Sequence, residues 1–283
     1  MQRTRRERHW SIGVDLGGTW VRVAARDDAG RRRVFTARSP GLAGLPAFLA
    51  GRLKRWGVDP SSVRGLVVAS RGVWTPAERR RHGRRLAGLA VAIRVISDAE
   101  AAYHAALGDR PGILLLAGTG SVALGRDARG HFARAGGLGP LLGDEGSAFW
   151  IGREWLRTSD RRADFATARR VLASADPVAR IAALSPAVLR RAAAGSPRAR
   201  QVVARGQRAL ADLLASAARA LGARPPIAVS WGGSLLGNRH YRNGVWRAAR
   251  DIGLDVEAVT PTTTATQAAL SLAVRLSEGR PRR

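Results

Sequence analysis

The chain has 283 residues, of which 48 are Lys or Arg and 21 are Asp or Glu, for a formal charge of +27 at pH 7. Lys54 is its only lysine, so the positive charge is almost wholly arginine, and a Walker A loop, a protein-kinase strand lysine or a Schiff-base lysine has no residue to build on, because Lys54 lies between Leu53 and Arg55. Cysteine is absent, which excludes disulfides, thiol nucleophiles, cysteine zinc sites and thiolate-held iron-sulfur clusters. With 45% hydrophobic residues, the chain can bury a large core in one domain or two smaller ones.

The basic N-terminus has an apolar stretch that Asp15 interrupts, a poor match to a signal peptide, and no run reaches the roughly 20 apolar residues needed to cross a bilayer. The expectation is a soluble, cytoplasmic protein with no membrane partner. Arginine clusters at 3–8, 79–85 and 280–283 could neutralise phosphates. Arginine is spread along the whole chain, however, and aromatics, only 5% of residues, are not interleaved with it, so nucleic acid is not the expected partner.

In chain order, residues 10–24 alternate as two strands around a tight glycine turn. Residues 42–56 have helical periodicity and 65–70 read as a short buried strand. Thr75, Pro76 and Glu78 form a capping box with Pro at the first helical position. An apolar strand follows at 92–97, and Ser97 and Glu100 make a second capping box for a helix reaching Leu107. After Pro111 and Gly112, a strand at 113–117 enters a glycine turn and leaves as 122–125, repeating the opening hairpin. Residues 147–222 read as helical, with Ser-Pro starts at Ser185 and Ser196. Residues 226–230 and 256–259 read as strands and 262–276 as a closing helix. Two similarly built halves result, 1–110 and 111–283, the second with a helical insertion and a last helix able to pack back on the first half.

The chemistry is expected at strand-to-turn junctions. In Asp15-Leu16-Gly17-Gly18-Thr19, a carboxylate ends a strand and two glycines let backbone approach a ligand closely. Successive amides in such a turn make an anion-binding concavity, though an ordinary hairpin turn has the same appearance. Gly118-Thr119-Gly120-Ser121 repeats the device, and two such turns facing one cleft could hold a nucleotide's phosphates, with Asp15 supporting hydrated Mg²⁺. Asp98, at a strand end and in a helix's first turn, either favours the helix dipole or accepts a proton from a hydroxyl nucleophile. Residues 136–153 form a glycine-dense loop carrying Asp144 and Glu145 into a helix, where Asp144 could be an N-cap.

The ordered set Asp15 to Thr19, Ser97-Asp98-Ala99, Gly118 to Ser121, Gly136-Gly137 with Gly143-Asp144-Glu145-Gly146-Ser147, and Gly232-Gly233-Ser234 resembles the BadF/BadG/BcrA/BcrD ATPase family, whose sugar kinase, Hsp70 and actin superfamily includes N-acetylglucosamine kinases. The resemblance spans nearly the whole chain. It implies an α/β fold of two ribonuclease-H-like lobes, an actin-like ATPase fold, with a nucleotide cleft between them. It also implies ATP and Mg²⁺ as cofactors, with Asp15 toward the metal, Gly17, Gly18 and Thr19 as the first phosphate loop, and Gly118, Thr119, Gly120 and Ser121 as the second. Gly232 and Gly233 would lie by the adenosine, Asp98 would be the catalytic base, and Gly137 and Asp144 would contact the sugar.

Without cysteine the chain cannot build the iron-sulfur cluster of the dehydratase activators, nor the cysteine-rich zinc site usual in the otherwise similar ROK branch, which also lacks the Gly-Asp-Glu-Gly-Ser loop. The amino-sugar kinase branch remains: phosphorylation of a hydroxyl of N-acetylglucosamine or a related sugar, with sugar and nucleotide as partners and a homodimer as one expected assembly. The chain departs from the pattern in two places. Trp20 and Val21 stand where the family usually has a Lys or Arg and a small hydroxyl residue, and residues 36–45 lack the usual sugar-loop Asn. These departures motivate an alternative, a regulatory member that binds nucleotide and sugar with little turnover.

Overall fold

The computed structural model describes residues 8–158 and 162–279. The arginine clusters at 3–8 and 280–283 therefore lie outside the described residues, except for Arg8. The chain divides into two compact units, one of Met1–Gly108 with Thr262–Arg283 and one of Asp109–Pro261.

The first unit opens on a hairpin of β1 (Trp10–Leu16) and β2 (Trp20–Asp27), followed by β3 (Arg32–Arg38) and the helix α1 (Gly41–Trp56). Then come β4 (Val63–Ser70), α2 (Pro76–Arg85), β5 (Ala92–Ser97) and α3 (Asp98–Leu107). The sheet order is β3-β2-β1-β4-β5, antiparallel through the first three strands and parallel from β1 through β4 to β5. The interior strand β4 is covered on both faces, so its residues are buried almost without interruption rather than in alternation. Both expected capping boxes form: Thr75 and Ser97 accept from the amides of Glu78 and Glu100, and each glutamate returns a bond to its cap's N–H.

The helix α11 (Ala265–Glu278) packs on β1 and β4 through two glycines. A Cβ on Gly13 would stand 2.1 Å from the Leu270 nitrogen, and one on Gly65 2.2 Å from the Ala273 oxygen, so helix backbone rests directly on strand backbone. Leu45, Leu49 and Leu53 of α1 close the opposite face, against Ile12, Val14 and Val68.

The second unit repeats this order. Its strands are β6 (Gly112–Ala117), β7 (Ser121–Arg126), β8 (Phe132–Gly136), β9 (Ile227–Gly232) and β10 (Val256–Ala258), in the order β10-β9-β6-β7-β8. Antiparallel and parallel pairings match the first sheet strand for strand. Between β8 and β9 lie α4 (Ala148–Arg157), α5 (Arg162–Leu172), α6 (Pro177–Ala182), α7 (Ser185–Ala193) and the long α8 (Pro197–Leu221). Two further helices, α9 (Ser234–Gly237) and α10 (Arg239–Asp251), follow β9. Leu210 and Leu214 of α8 pack with Ile113, Leu115 and Val229 of the sheet to form this unit's core.

Three elements differ from the sequence expectation. Strands β3 and β8 and helix α10 were not anticipated, because β3 is an arginine-rich edge strand, β8 is short, and α10 carries Gly244 and few aliphatic residues. Both Ser-Pro starts form: Ser185 is the first residue of α7, and Ser196 caps α8 by accepting from the Ala199 amide. Asp144 is not the cap of α4, since Ser147 fills that role by accepting from the Trp150 amide. Many arginines spend their side chains on aromatic rings, such as Arg33 over Trp10, Arg52 over Phe35 and Arg198 over Trp155. No helix among the described residues is long and apolar enough to cross a membrane.

Candidate active site

In open α/β sheets, ligands bind at the carboxyl ends of the parallel strands. The first sheet ends there on the predicted residues. Pairing runs Leu16 to Ser70 and Ser70 to Ser97, so Gly17, Arg71 and Asp98 leave three neighbouring strands side by side. The β1–β2 turn is closed by Gly17 N–H donating to the Trp20 carbonyl at 2.9 Å. Ser39 then occupies its carbonyls, with Oγ donating to Gly17 O at 2.7 Å and N–H donating to Thr19 O at 2.9 Å. A trans peptide sets C=O and the next N–H on opposite sides. With the Gly17 carbonyl held inward by Ser39, the Gly18 N–H is turned outward, and Gly18 and Thr19 are exposed and donate no backbone hydrogen bond among the described residues.

Asp15 pairs across the hairpin with Arg22, whose Nη1 stands 3.4 Å from Oδ2. Burial raises the Asp15 pKa, and Arg22 pulls against it. Asp98 begins α3, and its Oδ1 accepts from the Ala99 amide at 2.9 Å. Burial is the main cause that raises the Asp98 pKa from its ordinary value. The Ala99 N–H and the charge of Arg71 lower it, and the charge of Asp15 raises it further. Ser97, fully buried, caps this helix and fixes where the carboxylate starts.

The second unit builds its turn by the same physics with different partners. Carbonyls of Gly118 and Thr119 accept from the first amides of α4, Ala148 at 2.8 Å and Phe149 at 3.2 Å. The N–H groups of Thr119 and Gly120 therefore face away from that helix, and neither donates a backbone hydrogen bond among the described residues. Asp144 supports the turn from below: Oδ1 accepts from Ser121 N–H at 3.0 Å, and Ser121 Oγ donates to Glu145 O at 2.8 Å. Asp144 is 7% exposed and is the only non-glycine residue with positive φ among the described residues, at 63°. Left-handed backbone at such a residue costs about 1–3 kcal/mol and persists only where surroundings impose it. Burial raises its pKa, with the Ser121 N–H opposing and the Glu145 charge assisting.

Gly232 ends β9 and Gly233 follows it as the N-cap of α9, beside this turn, with Leu116 paired to Gly232. A Cβ on Gly233 would meet the Ala117 oxygen at 2.3 Å, so only glycine lets the two loops touch. A cavity of about 760 Å³ adjoins them, lined by Ala148, Ser234, Leu235, Gln207, Arg190 and Arg247 among others. Gly137, with φ of 70°, donates its N–H to Ser121 O and so also lies on the turn.

The sequence-predicted residues thus fall into two sets, each gathered by its own sheet. Three neighbours were missed: Ser39, which orients the first turn; Arg71, beside Gly18; and Arg38, paired opposite Trp20 with its guanidinium 4.7 Å from the indole centroid. Only the register reveals them. A hydrated Mg²⁺ needs one or two carboxylates and keeps most of its waters. Asp15, with an 18%-exposed carboxylate beside a turn of outward amides, fits that demand, although among the described residues no cluster of three or more metal-ligating side chains exists.

Two sheets of one order, each ending in a glycine turn with amides facing outward, define the two-lobed α/β fold of actin-like ATPases and sugar kinases. The chain belongs to the BadF/BadG/BcrA/BcrD ATPase family, whose model matches residues 12–248. It is 41% identical over 76 residues to the N-acetylmuramic acid/N-acetylglucosamine kinase of Clostridium acetobutylicum, a stretch covering 25% of each protein. Among solved structures it is similar to a candidate N-acetylglucosamine kinase from Chromobacterium violaceum, at a TM-score of 0.66 and 23% identity over 94% of this chain and 99% of that one. It also resembles a ROK family glucokinase from Streptomyces griseus in complex with glucose and AMPPNP, at a TM-score of 0.53 and 19% identity over 94% and 99% of the two chains.

Proposed function

We propose that the protein transfers the γ-phosphoryl group of ATP to a hydroxyl of N-acetylglucosamine or a related amino sugar. The observation that carries this reading is Asp98, a half-buried carboxylate at the carboxyl edge of the sheet, one neighbour away from an anion-binding turn and held at the start of α3 by a buried cap. Its raised pKa suits a group that must accept a hydroxyl proton near neutral pH. The names of the curated kinases similar to this chain support the substrate class.

In this reading the acceptor hydroxyl donates its proton to Asp98 as its oxygen attacks the γ-phosphorus. The outward amides of Gly18, Thr119 and Gly120 bind phosphate oxygens, and the hydroxyls of Thr19 and Thr119 add donors, that of Ser121 being spent on Glu145 O. Adenosine takes the cavity beside Gly232 and Gly233. Gly137 and Asp144 serve the sugar, with Asp144 Oδ2 left for a sugar hydroxyl once Ser121 has engaged Oδ1. Asp15 would hold the water shell of Mg²⁺, which would supply charge neutralisation of the phosphates.

The exposed Trp20, covered by Arg38 where the family usually carries a cation followed by a small hydroxyl residue, favours a second reading: a member that binds nucleotide and sugar without useful turnover. One assay separates them. Purified protein is incubated with ATP, Mg²⁺ and a panel of amino sugars, and sugar phosphate is sought by mass spectrometry. Sugar phosphate formed with equimolar ADP is the expected result. Nucleotide-dependent thermal stabilisation with no phosphorylated sugar across the panel contradicts the kinase reading.

A further inference from the structure

Arg71 is the residue the sequence did not single out, and the sheet places it at the centre of the first unit's carboxyl edge. It follows Ser70 of β4, the strand between β1 and β5, so Gly17 and Asp98 emerge on either side of it, each about 5 Å away by strand spacing. Its side chain leans toward the glycine turn: Nη1 lies 3.3 Å from where a Cβ on Gly18 would stand. A larger residue at 18 would push the guanidinium away. Arg71 is exposed and makes no ion pair with an acid among the described residues, in contrast to Arg22 and Arg79, which are held by Asp15 and Glu100. The guanidinium therefore stands beside the glycine turn with no carboxylate at ion-pair distance among the described residues.

Resting on the kinase reading above, we propose that Arg71 is a catalytic residue that contacts the γ-phosphoryl group of ATP during its transfer. A phosphoryl group passing from a phosphate bound at the Gly18 turn to a hydroxyl bound at Asp98 crosses the position that Arg71 occupies between them. In the step, a lone pair of the acceptor oxygen forms the new O–P bond and the bond from the γ-phosphorus to the bridging oxygen breaks. ADP leaves with that electron pair, and the hydroxyl proton goes to the Asp98 carboxylate. Arg71 exchanges no proton. Its planar fork donates hydrogen bonds to the equatorial oxygens and offsets their charge, the role an arginine supplied in cis plays in other phosphoryl transfers. The same charge lowers the Asp98 pKa from the value burial alone would impose.

The test compares wild type, Arg71→Gln and Arg71→Lys. Because the side chain is exposed, the variants are expected to melt with the wild type, which thermal unfolding checks. Arg71→Gln is expected to lower kcat by about 10³-fold, with Arg71→Lys recovering part of the loss. It is also expected to weaken AMPPNP by about tenfold or more while leaving ADP within about twofold, since only the triphosphate presents a γ-phosphate. Equal affinities of variant and wild type for AMPPNP, or a parallel loss for ADP, overturns the proposal. So does a rate loss confined to a shift of the acid limb of the pH profile, which would make Arg71 a positioning residue for Asp98. The nucleotide comparison needs no sugar: a wild-type protein that phosphorylates nothing refutes the kinase reading and with it the catalytic role, while the difference between AMPPNP and ADP still decides whether Arg71 contacts the γ-phosphate.

Discussion

The second turn offers a perturbation whose size follows from distances. Building alanine at Gly120 puts its Cβ 2.7 Å from Asp144 Oδ1, 2.8 Å from Oδ2 and 2.9 Å from Cγ. Carbon and oxygen rest at about 3.5 Å or more, so the carboxylate must retreat by more than half an ångström or the turn must lift. Either motion spoils the 3.0 Å bond from Ser121 N–H to a carboxylate that is only 7% exposed. Losing a hydrogen bond to a charged group costs about 1.5–3 kcal/mol, so Gly120→Ala is expected to destabilise the protein by about 2–3 kcal/mol. It also tilts the outward amides of Thr119 and Gly120 and weakens nucleotide binding. Denaturant unfolding and nucleotide titration measure both effects. The mechanism is isolated by a cycle with Asp144→Gly, which removes the obstructing carboxylate and suits the positive φ. In that background the added methyl should cost less than about 1 kcal/mol. Equal costs of Gly120→Ala with and without the Asp144 side chain would refute the coupling.

Two other outcomes follow from contacts and charges. Gly13→Ala places a methyl 2.1 Å from the backbone of α11, which cannot rotate aside, so unfolding should become easier by about 3 kcal/mol, the upper end of ordinary overpacking, with Gly65→Ala similar. A wild-type denaturation midpoint for Gly13→Ala would mean that α11 does not rest on β1 as described. For pH, Asp98 must be ionised to accept a proton and its folded pKa is raised, so kcat/KM should climb with pH through a limb displaced upward from that of an ordinary carboxylate. The same upward shift makes the Asp98 contribution to stability present at low pH and lost as pH rises through the folded pKa. A pH profile flat through and below the ordinary carboxylate range would exclude Asp98 from proton transfer.

How much of this was legible in the sequence depends on whether a feature is local. The Ser97-Glu100 box needs only a spacing of three, so Asp98 could be placed on its helix from the text alone. Both glycine turns are equally local. That Asp144 supports the second turn instead of capping α4 depends on a contact across 23 positions, and spacing to Ser147 pointed the wrong way. Arg71 depends on parallel register between strands far apart in sequence, which no periodicity encodes, and among so many arginines it carried no compositional mark. Strand β3 was hidden for a related reason: Arg32, Arg33 and Arg38 blunt its apolar alternation, while Ser39 just beyond it orients the first glycine turn. The +27 charge that opened the sequence as a polyanion signal is partly accounted for by arginines stacked on tryptophan and phenylalanine.

The central claim, that Asp98 is the base of a phosphoryl transfer, is tested most directly by Asp98→Asn. The substitution keeps size and the capping box and removes the proton acceptor. Measured with ATP and the best amino-sugar acceptor, kcat should fall by about 10²-fold or more, while ATP affinity and the unfolding midpoint stay near wild type. A variant that forms sugar phosphate at the full wild-type rate would contradict the account.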